Sequence, residues 1–213
     1  DFRNHNLHHL LRDHGPGSKI AHRVFKGLMG TIEYHPAGKE SKRVICFSPH
    51  PDDDVISMGG TLIRLNEDRH EVHIAYMTSG NIAVFDHDAM RVANLVTEFN
   101  RRFGIDQERS LAVEAEVTQA FDGKHPGERD VDAVRQIKSL IRWSEAKAGA
   151  LVAGCLEENC HFLDLPFYRT GTVDKKPWGN DDVKIIRDLI HKINPDQIYV
   201  AGDLSDPHGT HRL

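Results

Sequence analysis

No apolar run in this chain approaches the roughly 18–20 residues that cross a bilayer, and its first residues lack the basic-then-apolar pattern of a signal peptide. Cysteine is scarce: Cys46, Cys155 and Cys160 are the three, with no CxxC spacing. An odd, scattered set excludes a disulfide framework and a thiolate zinc cage, and points to a reducing cytoplasm. Basic charge is not in excess, since 27 Lys and Arg stand against 32 Asp and Glu for a net charge of -5. That balance leaves no electrostatic footprint for nucleic acid or an anionic membrane. The GxGxxG fingerprint of a dinucleotide site is missing, and there is no internal repeat. An initiator Met is also missing and the chain stops abruptly at Leu213, so it reads as a piece of a longer protein.

What is present suits one substantial α/β domain. A chain of 213 residues buries roughly 70% of its unfolded surface and needs no disulfide staple. Residues 1–42 are rich in His, Gly and basic residues, and their apolar spacing is irregular. They read as a linker or docking segment, in which the five histidines His5, His8, His9, His14 and His22 form no repeated spacing. From residue 43 onward strand and helix patterns alternate. The short apolar run Val44–Phe47 predicts a buried parallel strand, and Glu71–Met77, Cys160–Leu165 and Gln197–Ala201 read as three further strands. Helical spacing follows Val55-Met58-Leu62-Leu65, residues 87–121 with a break at Gly104, residues 131–153, and Val183-Ile186-Ile190. This order predicts a mostly parallel, Rossmann-like sheet with helices on both faces. The glycine pair Gly59-Gly60 lies inside the first of these helices, so close helix–sheet packing explains it better than a nucleotide does.

Ligands in such sheets bind beyond the carboxyl ends of the strands. Two polar clusters sit there: Ser48-Pro49-His50-Pro51-Asp52-Asp53-Asp54 after the first strand, and Asp203 to His211 after the fourth. His and Asp without Cys suit a divalent ion with an open position for water. A further carboxylate outside the coordination shell can then act as general base. Helix capping would explain one acid of the first cluster, but not three behind a Pro-bracketed His.

These residues carry a resemblance. Residues 48–80, SPHPDDDVISMGGTLIRLNEDRHEVHIAYMTSG, are similar to the opening unit of the LmbE/PIG-L deacetylase family, with its H-P-D-D-E, G-G-T-L and T-D-G elements. Arg142-Trp143-Ser144-Glu145 resembles the family's R-x-x-E, Asp164-Leu165-Pro166 its D-L-P, and His208-Gly209-Thr210-His211 its closing H-x-x-H. The likeness covers residues 43–213, with a helical insertion at about 82–130. It implies an LmbE-like domain, truncated at its C-terminus, that hydrolyses the N-acetyl group of an N-acetylglucosamine-type sugar or its 6-phosphate. It further implies a Zn²⁺ or related ion held by His50, Asp53 and His211, with Asp52 as general base. His208 would stabilise the oxyanion and protonate the leaving amine, and Arg142 would contact substrate. Two departures stand out: the family's Glu is Asp54 here, and Thr210 replaces an acid or amide between the histidines. Asp206 is near enough in sequence to replace that charge. Lys175 and Lys176 are either a phosphate contact or a solvated loop pair. The alternative to catalysis is a sugar- or metal-binding regulatory module. The segment also resembles the deacetylase-like half of bacterial chains that carry a glucosamine-6-phosphate deaminase-like domain, which implies a fusion partner.

Overall fold

A computed structural model describes residues 4–32, 40–125, 127–172, 174–201 and 209–212. Four parallel strands, β1 (Arg43–Ser48), β2 (Glu71–Tyr76), β3 (Cys160–Phe162) and β4 (Gln197–Tyr199), form one sheet in the order β3-β2-β1-β4. The longest ladder pairs Arg43 to Ser48 with Glu71 to Tyr76 residue for residue. Because side chains alternate along a strand, Val44, Cys46, Val72, Ile74 and Tyr76 face one way while Ile45, Phe47 and Ala75 face the other. Both sets are buried, which is why these strands read as continuous apolar runs.

Helix α3 (Asp53–Glu67) links β1 to β2, and α6 (Asp132–Val152) precedes β3. Leu62 and Leu65 of the first, with Ala146 and Ala150 of the second, cover the Val44 face. Each fully buried leucine or isoleucine there contributes roughly 1.5–3 kcal/mol of hydrophobic stabilisation. On the opposite face Leu189 and Ile193 of α7 (Asn180–Ile193) meet Ile45, Phe47 and Ala75. The α/β sheet with helices on both faces is therefore as the sequence pattern predicts.

Between β2 and α6 lies a helical pair, α4 (Asp86–Phe103) and α5 (Gln107–Phe121), separated where Gly104 takes φ +66° and Asp106 accepts the Arg109 amide at 3.2 Å. It leans on α6 through Ala93, Val117 and Val134, away from the sheet. The buried Lys138 ammonium locks the arrangement, bonding Asp86 at 2.6 Å and Asp130 at 2.8 Å.

Three details depart from the sequence reading. Residues 8–14 and 17–32 are helices, α1 (His8–His14) and α2 (Gly17–Ile32), within the linker or docking segment whose irregular spacing gave no helical period. Ile20 of α2 is buried, whereas Val24 and Phe25 are exposed, so α2 is amphipathic with a shallow contact. Strand β3 ends at Phe162 rather than Leu165, because Asp164 takes φ +43° and turns the chain out of the ladder. The glycine pair does not mediate close packing: a Cβ at Gly59 would meet only Val55 at 3.9 Å, and one at Gly60 would meet nothing within 4 Å. Among the described residues no helix is long and apolar enough to cross a membrane.

On the α7 face, His73 of β2 and His161 of β3 stack with ring centroids 5.3 Å apart, their ring nitrogens 3.1 Å from one another. Burial, reinforced by the neighbouring His73 and Lys192, pushes the His161 imidazole down from 6.5 to about 4. As pH falls the unfolded chain takes up this proton first, so stability is full above about 6.5 and drains away between there and about 4. Since His161 is only half-buried, screening limits the expected loss to the order of 1 kcal/mol, or about 2–4 °C in Tm. Thermal melts of wild type and His161→Gln at pH 7.5 and 5 test this. An equal fall in both proteins would remove His161 as the cause.

Candidate metal and hydrolytic site

The loop after β1 turns sharply into α3, held first by bonds among its own residues. Ser48 Oγ donates to the His50 carbonyl at 2.5 Å and accepts the Asp54 amide at 3.0 Å. Asp53 Oδ2 accepts the His50 amide at 2.8 Å and lies 3.0 Å from His50 Nδ1. On the far side of the loop Thr78 donates to the Pro49 carbonyl at 2.8 Å. Gly80 closes this wall: at φ +63°, any Cβ would sit 2.7 Å from Pro51 Cδ and 3.2 Å from Arg142 Nε. Only glycine fits there.

His211 reaches the same loop from a 3-10 turn, Thr210–Arg212, that follows β4. Its Nε2 is 3.1 Å from Asp53 Oδ2 and 3.3 Å from His50 Nδ1. Three donor atoms from two chain segments thus face one another, and no other such group occurs among the described residues. Ligand bonds of roughly 2.0–2.1 Å in a tetrahedron imply donor separations of about 3.3–3.4 Å. The observed 3.0–3.3 Å needs only a slight expansion to admit a divalent ion. Burial opposes ionisation of Asp53, yet the His50 hydrogen bonds and the nearby His50 and His211 charges hold its carboxyl below the usual range.

The two neighbouring acids point elsewhere. Asp52, at the N-cap of α3, makes no capping bond; its Oδ2 meets Arg142 Nη2 of α6 at 2.8 Å. Its other oxygen has no partner among the described residues. Arg142 also reaches Glu145 through Nη1, while its buried Nε has no partner among the described residues. Asp54 turns inward, accepting the Tyr76 hydroxyl at 3.0 Å, and burial raises its pKa. The shorter acid therefore props the loop from beneath, in contact with the strand that follows. Thr210 is buried and its hydroxyl has no partner among the described residues. His208, Asp206 and Asp203 lie outside the described residues.

Sequence reasoning thus places His50, Asp52, Asp53, Arg142 and His211 in one locality, and the structure brings them together. It missed Tyr168, whose ring is 6.2 Å from His50 and carries Lys175 over its face at 4.5 Å. Burial lifts the Tyr168 phenol to about 12. It also missed a cleft of about 620 Å³ that starts at Pro51 and Thr78 and runs along α6 past Trp143 to Arg135 and Arg169. The signal was there: residues 132, 135, 136, 139, 140 and 143 recur at helical spacing, but mixed polarity concealed the stripe.

Comparison with known proteins matches residues 45–213 to the PIG-L family, described as GlcNAc-PI de-N-acetylase. A protein of Bacteroides thetaiotaomicron named as glucosamine-6-phosphate deaminase-like is 42% identical over 228 aligned positions, which span all of this chain. A diacetylchitobiose deacetylase of Thermococcus kodakarensis is 29% identical over 65 residues, 30% of this chain. The chain spans 34% of the length of the first relative, and the second alignment 24% of its own.

Proposed function

The chain belongs to the PIG-L family of de-N-acetylases, and from that premise we propose that its strand-end site hydrolyses the acetamide of an N-acetylglucosamine-type sugar with the help of a divalent ion. The observation that carries this reading is the convergence of His50, Asp53 and His211 donors, with Asp52 beside them and outside their set. Two imidazoles and a carboxylate suit Zn²⁺ and leave a coordination position open. A bound ion supplies an acidified water and a polarised carbonyl at neutral pH.

The chain's own residues supply the proton handling. Asp52 has one oxygen fixed by Arg142 and one without a partner among the described residues, the disposition a general base needs. It takes a proton as water adds to the acyl carbon. The C–N bond then breaks, the amine nitrogen receives a proton, and acetate and the free amino sugar leave. His208, by its place in the closing H-x-x-H, is the residue we assign to the oxyanion and the leaving amine. Arg142 spends its Nη groups on Asp52 and Glu145, which supports a positioning role above direct substrate contact. Trp143 and Phe162, with ring centroids 6.0 Å apart, offer an apolar wall for the sugar ring.

Acetate release from N-acetylglucosamine derivatives tests the reading. Chelation should abolish it and added Zn²⁺ should restore it. A protein that holds its ion yet releases no acetate from any acetamido sugar would instead be a binding module, and the hydrolytic proposal would fall.

A further inference from the structure

The far end of the cleft gathers guanidinium groups in a way that the hydrolytic site does not require. Arg135, on α6, points into the cleft beside Gly171. A Cβ built on Gly171 would lie 3.0 Å from Arg135 Nη1 and 3.2 Å from Arg129 Nε, so these nitrogens are no more than about 6 Å apart. Two like charges that close repel unless an anion lies near them. The anions present are poorly placed for this: Asp132 holds only Arg135 Nη2, and its side chain is 77% exposed. Arg129 spends Nη2 on the Thr170 carbonyl. Arg169, also lining the cleft, is tied through Nε alone, to the Asp164 carbonyl and carboxylate at 2.9 Å. Both Nη groups of Arg169, and Nε and Nη1 of Arg135, have no partner among the described residues. The Nη pair of Arg169 is a fork that grips a tetrahedral oxyanion with two N–H groups at once, and Arg135 adds single donors from Nε and Nη1.

The spacing along α6 fits one sugar ring. Arg135 precedes Arg142 by seven residues, about 10 Å along the helix axis, with Gln136 and Ser139 between them on the cleft face and Trp143 at the Arg142 end. A pyranose whose acetamide lies at the Asp52 end presents a substituent on its opposite side at about that reach.

We propose that Arg135 and Arg169, backed by Arg129, form a clamp for a phosphate group on the amino sugar, on the side of the ring opposite the acetamide. The clamp deepens the deacetylase reading and rests on it for the orientation of the sugar. It assigns the phosphate contact to arginines on the cleft wall, and gives Lys175, seated over Tyr168, no part in it.

Calorimetric titration with the amine products separates the clamp from the chemistry, since these ligands cannot be deacetylated. Glucosamine, its 1-phosphate and its 6-phosphate are each titrated into the wild-type chain and into Arg135→Gln, Arg169→Gln and the double variant. The 6-phosphate, whose C6 substituent lies across the ring from the C2 nitrogen, should bind the wild type about 10- to 100-fold more tightly than glucosamine, as expected for charge-assisted contacts. A preference for the 1-phosphate, whose C1 adjoins C2, overturns the placement of the clamp. Each single variant should lose part of that preference and the double variant all of it, with affinity for phosphate-free glucosamine unchanged. These side chains are 30% and 55% exposed, so the fold tolerates the changes. Equal binding of all three ligands to wild type, or a preference that survives in the double variant, overturns the clamp. Acetate release from the acetylated sugars is measured in parallel. A phosphate preference without acetate release keeps the clamp and sinks the deacetylase, whereas acetate release without the preference does the reverse.

Discussion

Asp52→Asn is expected to slow acetate release by roughly 10²–10⁴-fold while the protein keeps its full complement of metal. The substitution preserves shape, and an asparagine oxygen can still accept from Arg142 Nη2, which now lies 2.8 Å from the carboxylate. What it removes is the capacity to take up a proton on the free oxygen. The three donors that converge on one point do not include Asp52, so metal content has no reason to change. Metal analysis after dialysis and an acetate assay on the same preparation check both halves. Asp52→Asn protein that loses its ion would make Asp52 a ligand, and one that keeps its rate would remove the proton-transfer role. Arg142→Lys isolates the positioning contact, because it keeps the charge but loses the rigid fork. Its effect should fall on kcat and spare KM, since in this reading Arg142 acts on the base and does not touch the sugar.

The sheet and its helices were legible because burial on both faces leaves an unmistakable trace: Val44 to Phe47 and Val72 to Tyr76 are apolar almost without interruption. The break at Gly104 was equally readable, since a left-handed residue there needs no side chain. What the sequence concealed were features decided by distant contacts. Nothing local says that Asp52, Asp53 and Asp54 point to Arg142, His50 and Tyr76 respectively. Three consecutive acids acquire three roles only because the α3 N-terminus sits between α6, the β4 end and β2. Gly59 and Gly60 misled for the opposite reason: a glycine pair in a helix suggests a close neighbour, but the sheet is not near enough to be one. Residues 8–32 carry weak helices whose shallow contact with the body leaves most of α2's apolar side chains exposed, so the pattern was diluted. The cleft arginines escaped notice because a stripe of Asp, Arg, Gln and Ser along α6 looks like an ordinary solvated face until β3 and the 164–172 loop are folded against it.

Loss of His211 should remove the ion itself. Structural zinc sites with a full ligand set bind with roughly 10–16 kcal/mol, so dropping one of three protein ligands should weaken affinity on the order of 10²-fold or more. His211→Ala should therefore emerge from dialysis without stoichiometric zinc. Asp53→Asn should do so too, for a different reason: it deletes the negative charge and disturbs the loop, because the same Oδ2 also holds the His50 amide at 2.8 Å. Melting separates the two causes. Zinc added to stripped wild type at about 100 times its Kd should stabilise the fold by about 2.7 kcal/mol, equivalent to several degrees in Tm. The ion would join His211 to His50 across 161 residues of chain, fastening the segment after β4 to the loop after β1. His211→Ala should gain nothing from zinc and should melt close to stripped wild type, lower only by what its metal-free contact with Asp53 at 3.1 Å contributes. Asp53→Asn should melt lower than stripped wild type even before zinc is added. A His211→Ala protein that still gains several degrees from zinc would show that the ion is held without it, and the ligand set drawn from these three residues would be wrong.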